Sequence, residues 1–395
     1  MNPFEWHFPT KLVYGPGRLD ELGINAKNYG QKAMIVSYAR GNGLDNTLES
    51  MQSSLQAAAI DYVVFAAIEP NPRSNTIDKA TALFISQECD FVIALGGGSV
   101  IDAGKYIAAT AFSGGSCWDY IMQAGKAPKR FLGAYPLIAI PSIATVGSEV
   151  NSTAVVVNSR THEKGITQTD VFYPTMALVD PQIHTSVPLR LTQDSCISIF
   201  SSLLASYLVS TDESEFADRL TESMILCLKD STEQIIYDID NDAVRGQLAL
   251  CAIFAGSGAQ AQDKLTRMPL QCLEMPLSAR YDLPCGRGMV VLIVAYLAFF
   301  ADAMPARWAK LARRCFAVTE PDDLKAAAML SHEVAKWFKS THSYLTLGDV
   351  GIPDEKFDLM AEDAMRLFAN AGELAALGKR CVTKQDVIDI YNLCK

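Results

Sequence analysis

Three glycines in a row stand where a backbone can be laid against a ligand. Phe91-Val92-Ile93-Ala94-Leu95 is a short apolar run, and Gly96, Gly97 and Gly98 follow it directly. Val100, Ile101, Ala103, Ile107 and Ala108 then recur at helical spacing. The pattern predicts a strand buried on both faces, a tight turn and the first turn of a helix. Glycines let a bulky group come close, and the unpaired N–H groups and dipole of a helix N-terminus attract a phosphate or pyrophosphate. Ser99 adds a hydroxyl, and Asp102 and Lys105 stand where they could reach a ribose or a phosphate. The spacing is neither Gly-x-Gly-x-x-Gly nor Gly-x-x-x-x-Gly-Lys-Ser/Thr. The plain alternative is a turn that only connects two elements.

The elements that must position this turn alternate. Lys11–Tyr14, Lys32–Ser37, Tyr62–Phe65, Leu137–Ile140, Thr153–Val157 and Met176–Val179 read as strands. Helical patterns start at Arg18 and cover Thr47–Ala59 and Ser74–Glu88. Such alternation predicts a parallel sheet with right-handed crossovers, which binds ligands beyond the carboxyl ends of its strands. Beyond about Val187 strand signals almost vanish, and helical segments such as Ser214–Leu228, Thr232–Asp238, Ala243–Gln262, Met289–Ala303 and Asp322–Phe338 follow. The expected division is an α/β domain over 1–187 and an all-helical domain over 188–395. Thr383-Lys384-Gln385-Asp386 predicts a capping box with Asp in place of Glu.

Composition narrows the partners. The chain has 395 residues, 49% of them hydrophobic and 20% charged, enough for more than one core. A net charge of −10 argues against nucleic acid and anionic membranes as main partners. Ten cysteines at irregular spacing, without Cys-x-x-Cys, read as reduced thiols of a cytoplasmic protein. The first residues carry no basic region followed by an apolar segment, so no secretory signal is expected. The most apolar run, Met289 to Phe300, is too short to span a bilayer.

Read together, the motifs resemble the iron-containing (group III) alcohol dehydrogenase family. The resemblance runs through Phe8 to Gly17, Pro70-Asn71-Pro72, Gly96 to Lys105, Pro141 to Val150 with its Gly147-Ser148-Glu149 core, and Tyr173 to Pro181. It implies a dehydroquinate synthase-like fold: a Rossmann-like parallel-sheet domain that binds NAD or NADP, and a helical domain. It implies hydride transfer between nicotinamide and a small alcohol, aldehyde or ketone, and it leaves a homodimer open. The cofactor residues it points to are Tyr38, Arg40, Gly96, Gly97, Gly98, Ser99, Asp102, Ser142, Thr145 and Val179. An acidic residue often stands at the end of the second strand, where it excludes a 2′-phosphate. Tyr38 takes that place here, with Arg40 nearby, which slightly favours NADP.

The departures are as informative as the matches. Most relatives hold one divalent metal through an Asp and three His of the helical domain. Here the matching positions are Ser198, Ser202, Gln271 and Cys285, and Met275 replaces a His often given an acid–base role. The five histidines are His7, His162, His184, His332 and His342, so none lies between residues 185 and 331. Hydroxyls and an amide hold Fe²⁺ or Zn²⁺ poorly, and an unperturbed thiol is mostly protonated at pH 7. No tightly bound metal is therefore expected, although a rearranged thiolate site from Cys196, Cys272 and Cys285 is an alternative. Without a Lewis acid, developing alkoxide charge must be stabilised by fixed donors. Ser198, Ser202, Gln271, Tyr281 and Cys285 are the candidate catalytic residues, with Arg280 or Arg287 available for an anionic substrate. The competing expectation is a catalytically degenerate nucleotide-binding protein of the same fold.

Overall fold

The structure is a computed structural model that describes residues 3–122, 127–208, 214–261, 269–370 and 382–395. It divides into two compact units. The α/β unit takes His7–Pro188 and Asp238–Ser257; the helical unit takes Leu189–Tyr237, Gly258–Lys395 and the residues before His7.

In chain order the α/β unit carries β1 (Lys11–Tyr14), α1 (Leu22–Ala26), β2 (Lys32–Tyr38), α2 (Asp45–Ala57), β3 (Asp61–Ile68), α3 (Ser74–Ser86), β4 (Phe91–Gly96) and α4 (Gly98–Ser113). It continues with β5 (Leu137–Pro141), β6 (Thr153–Asn158), β7 (Glu163–Gln168) and β8 (Met176–Val179). Six strands form one parallel sheet in the order β1-β8-β5-β4-β2-β3. All six residues of β4 are buried. Its side chains alternate between two cores, as the pleat requires. Val92 and Ala94 join Ile77, Phe84, Ile101 and Tyr106 on one face; Phe91, Ile93 and Leu95 join Leu48, Met51 and Leu55 on the other. Two covered faces are why this strand reads as an unbroken apolar run.

The strand β7 was not expected from the sequence. Glu163-Lys164-Gly165-Ile166-Thr167-Gln168 is mostly polar, yet it pairs antiparallel with β6. Ala154 and Val156 of β6 supply the apolar contacts against α4.

The helical segments are α5 (Leu189–Leu208), α6 (Glu215–Ile235), α7 (Asp242–Gly256), α8 (Pro269–Tyr281), α9 (Cys285–Phe299), α10 (Pro305–Cys315), α11 (Asp323–Ser340), α12 (Phe357–Asn370) and α13 (Lys384–Leu393). One of them departs from the expected division: α7 belongs to the α/β unit. The cause is a close backbone approach. A methyl group on Gly147 would lie 2.5 Å from the Ala252 carbonyl oxygen and 2.7 Å from the Gly256 Cα, so only facing glycines allow the contact. The two patterns expected over Ser214–Leu228 and Thr232–Asp238 merge into α6. The capping box forms as expected: the Asp386 N–H donates to the Thr383 hydroxyl and the Thr383 N–H to the Asp386 carboxylate. Among the described residues no helix is long and apolar enough to cross a membrane.

Candidate active site

The glycine turn closes β4 and opens α4, whose N-cap is Gly97. The N–H groups of Val100 and Ile101 both donate to the Gly97 carbonyl, at 3.0 and 3.2 Å. Those of Gly98 and Ser99 precede any helical acceptor and are the ones an anion can use. A methyl group on Gly98 would meet only Thr145 Oγ1, at 3.5 Å. The turn is thus open above Gly98, with Thr145 beside it. The Ser99 hydroxyl accepts the Asn71 N–H at 3.2 Å, which ties Pro70-Asn71-Pro72 to the turn. Asn71 sits at φ 55°, a left-handed conformation that Asn tolerates better than most residues. Ser142 is buried and its N–H donates to the Gly96 carbonyl at 2.9 Å. Val179, the last residue of β8, is fully buried and presents no polar side-chain group.

Asp102 and Lys105 point inward and not toward a ribose or phosphate. The Asp102 carboxylate accepts the Ser148 hydroxyl at 2.5 Å and the Val155 N–H at 2.9 Å. It is a strut between α4, the Gly147-Ser148-Glu149 loop and β6. Burial pushes its carboxyl up, against the charges of Lys105 and Lys164 and the two bonds just named. The Lys105 ammonium is 1% exposed and donates to Asn151 Oδ1 at 2.9 Å and the Thr153 carbonyl at 2.7 Å. Burial lowers its pKa to about 8, opposed by the carboxylates of Asp102 and Glu149. Glu149 is buried as well, which raises its carboxyl to about 7. Sequence reasoning passed over two further buried groups here, Glu149 and Lys164; Lys164 Nζ donates to Asn71 Oδ1 at 3.2 Å. A helical or strand pattern cannot announce a buried charge, but Lys164 in a polar hairpin strand was a missed signal.

Tyr38 ends β2 and lies over the glycine turn. Methyl groups built on Gly96 and Gly97 would come within 3.1 Å of Tyr38 Cε2 and 3.0 Å of Tyr38 Oη, respectively. Burial raises the phenol's pKa; the Gly97 N–H and the Ser99 hydroxyl beside it act in the opposite sense. Arg40 is half-exposed, 3.4 Å from an Asp45 carboxylate oxygen and 4.0 Å from one of Glu49.

In the helical unit, α5 packs against α8 and α9. Ser198 and Ser202 lie one turn apart on α5, as expected. Their hydroxyls donate backward within the helix, Ser198 to the Asp194 carbonyl at 3.1 Å and Ser202 to the Ser198 carbonyl at 3.3 Å. The start of α9 is pressed against this place: a methyl on Gly286 would lie 2.7 Å from Ser198 Oγ and 2.4 Å from the Asp194 carbonyl oxygen. Cys285, the first residue of α9, is partly buried. Gln271, in the first turn of α8, keeps its Oε1 buried with no partner among the described residues. Tyr281 is at the far end of α8, where Lys356 Nζ lies 5.6 Å from its ring centre. The structure therefore joins Ser198 to the start of α9 and leaves Tyr281 beside Lys356. Neither arginine is unengaged: Arg280 Nε binds an Asp363 oxygen at 2.6 Å, and Arg287 binds Asp194 at 2.7 and 3.0 Å.

The donor set of Ser198, Ser202, Gln271 and Cys285 does not fit the divalent metal that the resemblance implies. Neutral hydroxyls and an amide are weak ligands for such an ion, and the Asp194 carboxylate, one turn before Ser198, is already paired with Arg287. Among the described residues no group of three His, Cys, Asp or Glu side chains is gathered to hold a metal ion. The glycine turn, by contrast, does fit a dinucleotide: it offers Gly98 and Ser99 N–H groups under open space.

Comparison with known proteins covers nearly the whole chain. The sequence profile "Iron-containing alcohol dehydrogenase" matches residues 9–181, and "Fe-containing alcohol dehydrogenase family, C-terminal" matches residues 192–393. The chain is 29% identical to NADH-dependent butanol dehydrogenase B of Clostridium acetobutylicum, over 99% of each protein. It is 26% identical to the NADPH-dependent aldehyde reductase YqhD of Escherichia coli, over 82% of each. The crystal structure of NADH-dependent butanol dehydrogenase A from Thermotoga maritima superposes with a TM-score of 0.93 at 26% identity, covering 100% of this chain and 99% of that one. With its glycine turn, its sheet order and both halves matched, this chain belongs to the iron-containing alcohol dehydrogenase family.

Proposed function

We propose that this protein is an NAD(P)-dependent oxidoreductase that moves a hydride between nicotinamide and a small alcohol, aldehyde or ketone without a tightly bound divalent metal. The observation that carries the metal-free part is the donor set: four positions hold two serines, a glutamine and a cysteine, neutral side chains that hold a divalent ion poorly. When bound, the nicotinamide supplies or accepts the hydride. The chain's own part begins with the N–H groups of Gly98 and Ser99, which hold the pyrophosphate. Thr145 flanks it at the turn. Asp102 keeps α4 and the Gly147-Ser148-Glu149 loop in register through Ser148 and Val155.

In the helical unit Gln271 offers the substrate oxygen an amide whose Oε1 meets no partner among the described residues. An unpaired buried carbonyl costs about 1–3 kcal/mol, so a substrate hydroxyl that donates to it is favoured. Ser198 and Ser202 on α5 and Cys285 at the start of α9 are smaller polar groups; the serine protons go to helix carbonyls, so these hydroxyls can accept but are not the free donors expected from the sequence. Tyr281, whose hydroxyl is likewise buried without a partner among the described residues, stands at the other end of α8 beside Lys356.

NADP binding at least as well as NAD is the finer reading. It rests on Tyr38 where an acid would exclude the 2′-phosphate. Arg40 supports it less, because Asp45 and Glu49 already share its charge. Nine cysteines among the described residues form no disulfide, which supports a reducing, cytoplasmic setting. A nucleotide-binding protein without turnover is the second reading, favoured by the change at all four metal-ligand positions. Turnover of NADH and NADPH against a panel of aldehydes and ketones, with and without a chelator, separates the two. Activity indifferent to chelation supports the first; binding without any turnover supports the second; activity abolished by the chelator and restored by metal overturns the metal-free mechanism.

A further inference from the structure

Gly96 and Gly97 are kept bare by a residue of the chain itself. A methyl group on Gly97 would lie 3.0 Å from Tyr38 Oη and 3.1 Å from Ile143 Cγ2. One on Gly96 would lie 3.1 Å from Tyr38 Cε2 and 2.5 Å from Val100 Cγ2. Gly98 is different, since its only near neighbour is Thr145 Oγ1 at 3.5 Å. The Tyr38 ring thus rests on the first two glycines and stops short of the third. Close backbone approach is what such a turn offers a dinucleotide, and here the phenol has taken much of it. The β2–β3 ladder slips between Ser37 and Tyr38, so Tyr38 is the last, irregular rung of the sheet.

We propose that Tyr38 is a gate over the phosphate cradle: its ring competes with the dinucleotide for Gly96 and Gly97, and cofactor binds only when the ring has turned away. The inference rests on reading the turn as the dinucleotide site. Apparent affinity is then the intrinsic affinity reduced by the fraction of molecules with the ring displaced. Tyr38→Ala removes the competitor, whereas Tyr38→Phe keeps the ring over Gly96.

Isothermal calorimetry of NADH and NADPH on the full chain tests this. If the ring covers the turn about nine-tenths of the time, Tyr38→Ala binds about tenfold tighter than the unmodified protein, and Tyr38→Phe stays near it. Equal or weaker binding by Tyr38→Ala, with binding by the unmodified protein intact, overturns the role of Tyr38 and leaves the dinucleotide site standing. No binding of either cofactor to any variant overturns the dinucleotide reading and this inference with it. Should Tyr38→Ala fail to fold, stopped-flow binding to the unmodified protein decides. A rate that levels off as NADH rises supports a ring that must open first, and a rate that rises linearly throughout overturns it.

Discussion

His184 offers a stability test that can be worked out in advance. The ring is 1% exposed, at the carboxyl end of the sheet, in the turn Pro181–Ser186 that follows β8. Its Nε2 lies 3.0 Å from the carbonyl of Pro141, the last residue of β5 and the neighbour of Ser142. A carbonyl only accepts, so Nε2 carries the proton and Nδ1 is bare; Nδ1 is buried without a partner among the described residues. Burial lowers the imidazole from 6.5 to about 4, the bond to Pro141 opposes this, and the charge of Arg245 adds to it. The unfolded chain therefore takes up a proton below 6.5 that the folded chain refuses until about 4. Stability from this group is complete above 6.5 and lost as pH falls toward 4, by about 3 kcal/mol in all and about 2 kcal/mol by pH 5. Glu149 pulls the other way: its folded carboxyl titrates near 7, so it gains stability as pH falls from 7 toward its ordinary 4.5. The unmodified protein's own curve sums these with its other shifted carboxylates, so the informative quantity is a difference. His184→Gln keeps a donor for Pro141 and cannot titrate. Urea unfolding at several pH values should show the variant gaining about 2 kcal/mol on the unmodified protein between pH 7 and 5. A difference that does not change with pH would mean that the imidazole is hydrated and that the end of β5 is not sealed as described.

Three further outcomes follow from the same geometry. Gly98→Val should leave the melting temperature nearly unchanged, because only Thr145 Oγ1 is near, and should abolish calorimetric binding of NADH and NADPH; unchanged affinity would remove the pyrophosphate from this turn. Arg287→Ala removes both bonds to Asp194, whose side chain is 7% exposed, and leaves it only the charge of Arg190; it should cost about 2 kcal/mol in urea unfolding, whereas adding Asp194→Asn should recover part of it; a loss under about 0.5 kcal/mol would class the pair as a surface one. NADPH should bind at least as tightly as NADH in a fluorescence titration, and a clear preference for NADH would remove any role for Tyr38 and Arg40 in accepting a 2′-phosphate.

The α/β half was legible because each buried strand had two cores to fill, which wrote unbroken apolar runs such as Phe91–Leu95 into the sequence. The glycine turn was legible for a similar reason, since few other residues permit that path. What periodicity could not reveal was partner choice. The helix α7 has the same apolar rhythm as its neighbours, and its contacts with Gly147, Val187 and the Pro181–Ser186 turn assign it to the α/β unit. Direction was hidden too: Asp102 and Lys105 fit a ligand-facing reading as well as the inward one, and Ser148, Asn151 and Val155 are what decide it. Tyr38 was noted as a missing acid, and its place over the turn depended on a ladder slip that no propensity records. The ion pairs of Arg280 and Arg287 were the ordinary alternative to substrate binding, and distant partners, Asp363 and Asp194, make them.

Metal content tests the central claim most directly. The protein is expressed in medium supplemented with iron and zinc, dialysed without chelator and assayed for metal per chain. The account predicts only trace iron and zinc, and predicts that Ser198→Asp, Ser202→His, Gln271→His and Cys285→His together create a metal-binding protein. Stoichiometric iron or zinc in the unmodified chain, lost when Gln271 and Cys285 are replaced by alanine, would contradict it.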